Sequence, residues 1–295
     1  MSTLTPTAGS AVRGRRLERR PRELAFMSLL LFGLLVGLVT LLTLVIDVAI
    51  DGVPSLSMEF LTNLDSRFAE RAGIYPALIG TLWLMFLVAL FTLPLGVGAA
   101  VYLHEFAPKG RATRFIDLNI ANLAAVPSVV YGLLGLAVFV RGAELGRSVL
   151  AGALTLTLLL LPMVVVASRE ALRGVPDSIR QASYGVGATR VQTVRSQVLP
   201  AAIPGIMTGM ILGLSRAIGE TAPLITLGAL TYVSFVPSNP MDRFTAMPIQ
   251  IFNWTSRPQE EFQHVAAAGI LLLLGVLLGM NALAIWIRSR YERSW

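Results

Sequence analysis

The chain has 295 residues, 55% of them hydrophobic and 14% charged, against roughly a quarter charged in a soluble domain. Cysteine is absent, which excludes disulfides and thiolate chemistry. The net charge of +7 sits in separate clusters between long uncharged runs, which is the pattern of a protein dissolved in lipid and argues against nucleic acid as a partner.

Residues 1–23 form a basic tail with Arg13, Arg15, Arg16, Arg19, Arg20 and Arg22, expected to be disordered. Six runs then reach the ~20 residues a helix needs to cross the hydrocarbon core. They are 24–46, 77–103, 118–140, 148–168, 201–236 and 265–287. Five carry no charge, and the run 201–236 is interrupted by Arg216 and Glu220. The first run is longer than the apolar core of a signal peptide and lacks a clean A-x-A site, so it reads as a retained first span. The reading is therefore an all-α polytopic membrane protein with six transmembrane helices.

Between the spans, 51–75 holds Pro54, Ser55, Ser57 and Asn63 and reads as an external loop. Pro76 suits the first turn of the second helix, where a missing N–H costs little. The two long connections are 169–200 and 237–264. Arginine and lysine concentrate in the N-terminal tail, after the second span (Lys109, Arg111, Arg114), in 169–200 (Arg169, Arg173, Arg180, Arg190, Arg195) and at the C-terminus (Arg288, Arg290, Arg293). This asymmetry places both termini and 169–200 in the cytoplasm. His104 and His264 lie at helix ends far apart in sequence. They could in principle hold a metal, but a pair of interfacial histidines is the simpler reading.

The connection 169–200 contains two capping patterns, Ser178 with Gln181 and Thr189 with Gln192, and Gly185 and Gly187 lie between them. It reads as two short helices joined by a glycine turn, with Pro200 and Pro204 ending the second helix and starting the next span. Caps alone leave two readings open: a surface that a partner grips, or a solvated reconnection.

The charged span is the most informative segment. At 100° per residue, Gly205, Gly209, Gly213, Arg216 and Glu220 fall within a stripe about 80° wide. Glycines let another helix approach closely, and ionisable residues within a span are expensive and usually functional. Arg before Glu is the less favourable order for an i,i+4 pair, so helix stability is a poor reason for it. Pro223 lacks an N–H and crowds the carbonyl of Gly219, so the helix is expected to bend or weaken there, as in spans that hold solutes near mid-membrane. The alternative is an ion bridge that only locks two helices together.

Two stretches carry a resemblance. Gln181-Ala182-Ser183-Tyr184, Gly187 and Leu199-Pro200 match the spacing of the EAA loop in permease subunits of bacterial ABC importers, with Gln181 in place of the acid and Gln197 in place of the apolar residue. Ser215-Arg216-Ala217-Ile218-Gly219-Glu220-Thr221-Ala222-Pro223-Leu224 resembles the signature of phosphate-importer permeases of the PstA type. Gly73-Ile74-Tyr75-Pro76-Ala77, Tyr102-Leu103-His104-Glu105-Phe106-Ala107, Val126-Pro127-Ser128-Val129-Val130-Tyr131-Gly132 and Pro248-Ile249-Gln250-Ile251-Phe252-Asn253-Trp254 agree with it. Sulfate and molybdate permeases look similar but read Gly-Glu-Phe-Gly where this chain has Gly219-Glu220-Thr221-Ala222.

The resemblance implies a MetI-like ABC importer permease, multi-pass in the bacterial inner (cytoplasmic) membrane. It implies 24–74 as the first helix and external loop, a permease domain at 75–288 with a coupling loop at 169–200, and a short tail at 289–295. Gln181, Ala182, Ser183, Tyr184, Gly187, Leu199 and Pro200 would couple to the ATPase. Arg216, Gly219, Glu220, Thr221 and Pro223 would form the solute path or gate. The implied partners are membrane lipid, a second homologous permease, an ATPase dimer and a periplasmic phosphate-binding protein. No cofactor is expected in this chain. A Walker A loop needs Gly-Lys-Ser/Thr and the only lysine is Lys109, so ATP and magnesium would bind the separate ATPase. The rivals are a sulfate or molybdate permease of the same machinery, an ion-coupled secondary transporter using Glu220, and a membrane receptor or scaffold.

Overall fold

In the computed structural model the described residues are 21–229 and 233–291. Of the expected tails, 1–20 and 292–295 lie outside them. The described chain is helical, and its one ladder contact is an isolated bridge between Ser148 and Arg243. The described residues fall into two compact units, divided between Asp47 and Val48. The first unit carries most of α1 (Pro21–Gly52), part of an apolar stretch long enough to cross a membrane.

The second unit begins with α2 (Met58–Thr62), N-capped by Ser57, whose Oγ accepts the Phe60 N–H. The long helix α3 (Tyr75–Val101) follows, with Pro76 in its first turn as expected, and it ends in a wide turn at Tyr102–Phe106. Next come α4 (Arg111–Leu123) and α5 (Ser128–Gly135), the latter continuing as a wide turn through Leu136–Gly142. Then α6 (Val149–Arg173), α7 (Asp177–Gly185) and α8 (Arg190–Thr193) lead into α9 (Leu199–Gly219). The chain closes with α10 (Ala222–Leu227), α11 (Met247–Thr255) and α12 (Glu261–Tyr291).

Among the described residues there are, by length and composition, five candidate spans, or six if α4 and α5 count as one bent span. The expected straight span at 118–140 is therefore corrected: α4 and α5 meet at 101°. Pro127 has no N–H to donate, and the residue before a proline disfavours helical geometry. Tyr131 Oη donates to Leu123 O at 2.8 Å and bridges the corner.

The middle of the unit is α6 packed between α3 and α9. The glycine stripe does what its spacing predicts. A Cβ on Gly205 would stand 2.7 Å from the Ala171 methyl, and one on Gly209 would stand 2.4 Å from that of Ala167. The stripe thus lets α9 lie against α6 at backbone distance. Leu84, Val88, Leu156, Leu160 and Ile218 form the dry centre.

The segments 51–75 and 237–264, read as a loop and a long connection, carry helices α2 and α11 and fold together. Phe60, Ile74, Met247, Trp254 and Phe262 make one buried cluster. Trp254 Nε1 donates to Asp65 Oδ1 at 3.1 Å, and Arg257 donates to Ser66 O at 2.9 Å. Within the connection 237–264, helix α11 buries Ile249, Ile251 and Trp254. Close by, the Val149 and Leu150 N–H groups at the start of α6 donate to Asp242 O and Pro240 O. The Asp242 carboxylate accepts the Ser238 and Asn239 backbone N–H groups, which hold it below the usual carboxylate range.

Candidate functional site

The hairpin at 177–198 has the expected glycine turn. Gly187 has φ +87°, the Ala188 N–H donates to Ser183 O, and the Gly187 N–H donates to Tyr184 O. This is the paired bonding that ends a helix in a left-handed glycine. Of the two expected caps, Thr189 with Gln192 is a reciprocal capping box. Ser178 with Gln181 is not, because Pro176 occupies the cap position and Ser178 falls inside α7. The hydroxyls of Ser183 and Thr193 lie 2.8 Å apart and tie the two arms together.

Pro200 and Pro204 do not end the second arm, which is a further correction. Residues Arg190–Gly219 run as one 30-residue helical stretch. A wide turn at Val194–Val198 shifts the hydrogen-bond register just ahead of Pro200, so the ring displaces no α-type bond there. The hairpin is therefore a direct extension of α9.

Its other end is held by a residue that the sequence reading passed over. Arg180 donates to Glu105 Oε1 at 2.8 Å, to Val175 O at 2.8 Å and to Leu172 O at 3.1 Å. It closes the carbonyl end of α6 and pairs with a carboxylate at the end of α3 in one gesture. The side chains of Arg180 and Glu105 are 13% and 6% exposed. Gln181, Ala182 and Tyr184 lie exposed on the hairpin, with Val186 and Val191 beside them. Leu199 and Pro200 lie apart from these at the root, where Leu199 is partly buried against the cluster that holds Leu172, Val198 and Ala202. The EAA residues and Leu199-Pro200 thus occupy different levels of the same arm.

The second constellation is the break in the expected span 201–236. Helix α9 stops at Gly219, and Glu220 is extended at φ −77°, ψ 103°. Pro223 sits in the first turn of α10, which closes on Gly228 at φ +91°. Residues 230–232 of the same run lie outside the described ones. The chain breaks where bending was expected, since Pro223 cannot donate to Gly219 O and its ring would crowd that carbonyl. Glu220 is consequently off the helix and does not continue the glycine stripe. The ion pair still forms, with Arg216 Nε 3.2 Å from Glu220 Oε1 and side-chain exposures of 59% and 17%. Gly219 is exposed, Thr221 is half-buried, and Pro223 is buried against α5. A Cβ on Gly132 would come 2.6 Å from Pro223 Cα and 1.8 Å from Thr226 Oγ1. The quoted stretch ending in Gly132 thus forms the seat of the broken helix.

The histidines do not meet as a site. His104 lies 3.8 Å from Glu105, and His264 lies 3.8 Å from Asp51. Among the described residues no group of three or more His, Cys, Asp or Glu is placed to hold a metal ion.

The charged span is thus broken beside an ion pair and extended at its other end by a capped hairpin. Residues 92–293 match the family described as binding-protein-dependent transport system inner membrane component. The chain belongs to this family. It is 34% identical to the probable ABC transporter permease protein YqgI of Bacillus subtilis, over 87% of this chain and 92% of that protein. It is 34% identical to the probable phosphate transport system permease protein PstA of Methanocaldococcus jannaschii, over 88% and 92%. It is 30% identical to PstA of Yersinia pestis, over 92% of each. The resemblance to the PstA type drawn from its motifs therefore extends over most of the chain. Among solved structures, a bacterial alginate ABC transporter chain superposes with TM-score 0.69 at 15% identity, covering 93% of this chain and 97% of that one. A chain of the MetNI methionine transporter gives 0.58 at 18%, covering 75% and 95%. These share the fold. The binding-protein-dependent permease is thus a membrane-embedded component of an ABC importer complex, and the readings as an ion-coupled secondary transporter or a scaffold fall away.

Proposed function

We propose that this permease translocates inorganic phosphate across the bacterial inner membrane, with both termini cytoplasmic. The observation that carries the mechanism is the break at Gly219–Thr221. It places an ion pair at an interrupted span seated on α5. Discontinuous helices present such groups to a solute while the rest of the helix stays bonded. Arg216 can bind a tetrahedral oxyanion through two N–H groups. Glu220 would repel that anion, so its role is to hold Arg216 until the solute competes for it. The phosphate-transport names of the relatives and the motif residues 219–222 support phosphate over sulfate or molybdate.

The permease domain, taken as 75–288, pairs with a second homologous permease. The hairpin around Gly187 seats in one subunit of an ATPase dimer, which alone holds ATP and magnesium. A periplasmic phosphate-binding protein delivers the solute to the outer face. Because the hairpin is continuous with α9, closure of the ATPase moves the lower end of the helix that carries Arg216 at the other. The test is uptake by vesicles that hold this chain with its co-purifying partners. Labelled phosphate should enter only when ATP is supplied, and excess sulfate or molybdate should not compete. Uptake without ATP, or full competition by sulfate, overturns the reading.

A further inference from the structure

A cavity of about 1240 Å³ opens where α3 and α6 end together, between α4 and the hairpin arm α7. It lies away from the break at Gly219. Seven lysine and arginine side chains and three carboxylates line it, a formal excess of four positive charges. The carboxylates are already engaged: Asp117 pairs with Arg169, and Glu105 and Asp177 both pair with Arg180. Lys109, Arg111 and Arg114 form no ion pair among the described residues, and Arg190 rests over the Phe106 ring at 5.4 Å.

A concentration of positive charge round a concave wall raises the local concentration of anions. We infer that this groove binds phosphate groups, either the phosphate of an anionic lipid headgroup or free inorganic phosphate. Guanidinium forks match the paired oxygens of a phosphate, and several converge here from different elements. The location fits a headgroup. Basic pockets between spans at the membrane face take acidic lipids. Helix α4 also carries exposed Phe115, Ile116, Leu118 and Leu123 next to its arginines, the composition of a helix lying in the bilayer interface. An acidic protein surface is the competing occupant. The apolar residues of α4 and the depth of the groove at the ends of α3 and α6 favour phosphate.

The experiment uses the full chain purified in phosphatidylcholine nanodiscs and offered two probes separately, phosphatidylglycerol and radiolabelled orthophosphate. Native mass spectrometry reads lipid retention, and equilibrium dialysis reads orthophosphate. The variant is Arg111→Gln with Arg114→Gln. Both side chains are exposed and in no ion pair among the described residues, so the fold should be unaffected, as circular dichroism would verify. The control is Arg67→Gln with Arg71→Gln, outside the groove. Phosphatidylglycerol should be retained over phosphatidylcholine. Retention should fall at least about tenfold in the variant but not in the control, since each basic side chain near the surface contributes about 1 kcal/mol. It should also weaken as salt rises. If orthophosphate displaces the lipid and is equally sensitive to the variant, the natural source is the free anion. If it does not compete at millimolar concentration, the source is the headgroup. Equal retention of both lipids, or phosphatidylglycerol retention that survives in the variant, overturns the site. Orthophosphate binding that survives there but is lost in Arg216→Gln belongs to the transport path instead, and failure of phosphate uptake leaves this measurement unaffected.

Discussion

Gly132 of α5 lies directly beneath Pro223 of α10, so close that a Cβ there would stand 2.6 Å from Pro223 Cα. The break in the charged span is therefore fitted to a particular surface on α5. Gly132→Ala should push α10 off its seat. An added methyl in a tight contact costs about 1–3 kcal/mol, and here the displaced element adjoins Glu220 and Thr221. The expected outcome is a lowered midpoint in thermal unfolding together with reduced phosphate uptake. The same change at Gly98, where nothing lies within 4 Å, should leave both unaltered.

At the hairpin the constraint is the backbone and not space. Gly187 has φ +87° with nothing within 4 Å of a Cβ position, so a larger side chain has room but the wrong dihedral. Gly187→Leu should cost about 1–2 kcal/mol locally and loosen the junction between α7 and α8. ATP hydrolysis by the assembled complex should persist while uptake falls. Gly187→Asn, which tolerates the left-handed region, should retain most of the uptake. If Gly187→Leu is well expressed and transports normally, the coupling assignment is wrong.

Arg180 and Glu105 form the pair that fixes the start of this hairpin to the end of α3. Both are largely buried, so removing one partner leaves the other charge unpaired. Such changes typically cost about 3–5 kcal/mol. Arg180→Gln or Glu105→Gln alone should sharply lower the unfolding midpoint, and the double substitution should recover much of the loss. Additive losses in the two single variants and the double would show that the pair is not coupled.

Much of this was legible in the sequence because it depends on local chemistry. The stripe of Gly205, Gly209 and Gly213 forecast close packing, and the Thr189–Gln192 box and Gly187 forecast the hairpin turn. What the sequence concealed depends on partners far along the chain. The absence of charge over 118–140 hid the corner at Pro127, although proline and the polar Asn119 and Asn122 marked it. Met247–Thr255 is too short to read as a span, and its burial depends on Phe60 and Asp65, almost two hundred residues earlier. The helical-angle argument placed Glu220 on the stripe because it assumed that the helix survived Pro223. Arg180 was counted only as a positive charge; its part as anchor depends on Glu105, which no spacing rule connects to it.

Orientation can be measured independently, because the chain has no cysteine. The arginine asymmetry predicts that 170–200 lie in the cytoplasm and 238–262 outside. Val186→Cys sits at the tip of the hairpin, where Val186 is 86% exposed, and Pro258→Cys lies after α11. With the outer envelope permeabilised, a membrane-impermeant thiol reagent should label position 258 in intact cells and reach position 186 only after lysis. The reverse pattern would invert the topology and remove the coupling argument.

The ion pair separates a structural role from a transport role. With Arg216 59% exposed, the pair contributes little to the stability of this chain alone, as exposed pairs generally do. Arg216→Gln leaves Glu220 more buried than its lost partner and without a counter-charge, so complex yield should fall somewhat. Glu220→Gln leaves an exposed arginine, which costs less. The double substitution Arg216→Gln with Glu220→Gln removes both charges and should restore yield in affinity purification. If the pair merely fastens two segments, uptake should return with yield. If Arg216 binds the anion, the double variant should assemble yet transport phosphate at least about tenfold more slowly. That is the loss expected when a charge-assisted hydrogen bond of about 1.5–3 kcal/mol is removed. Separating the two requires yield and ATP-dependent uptake to be measured on the same preparations of all three variants. Normal uptake by the double variant would leave the break at Gly219 as a packing feature and move the transport path elsewhere.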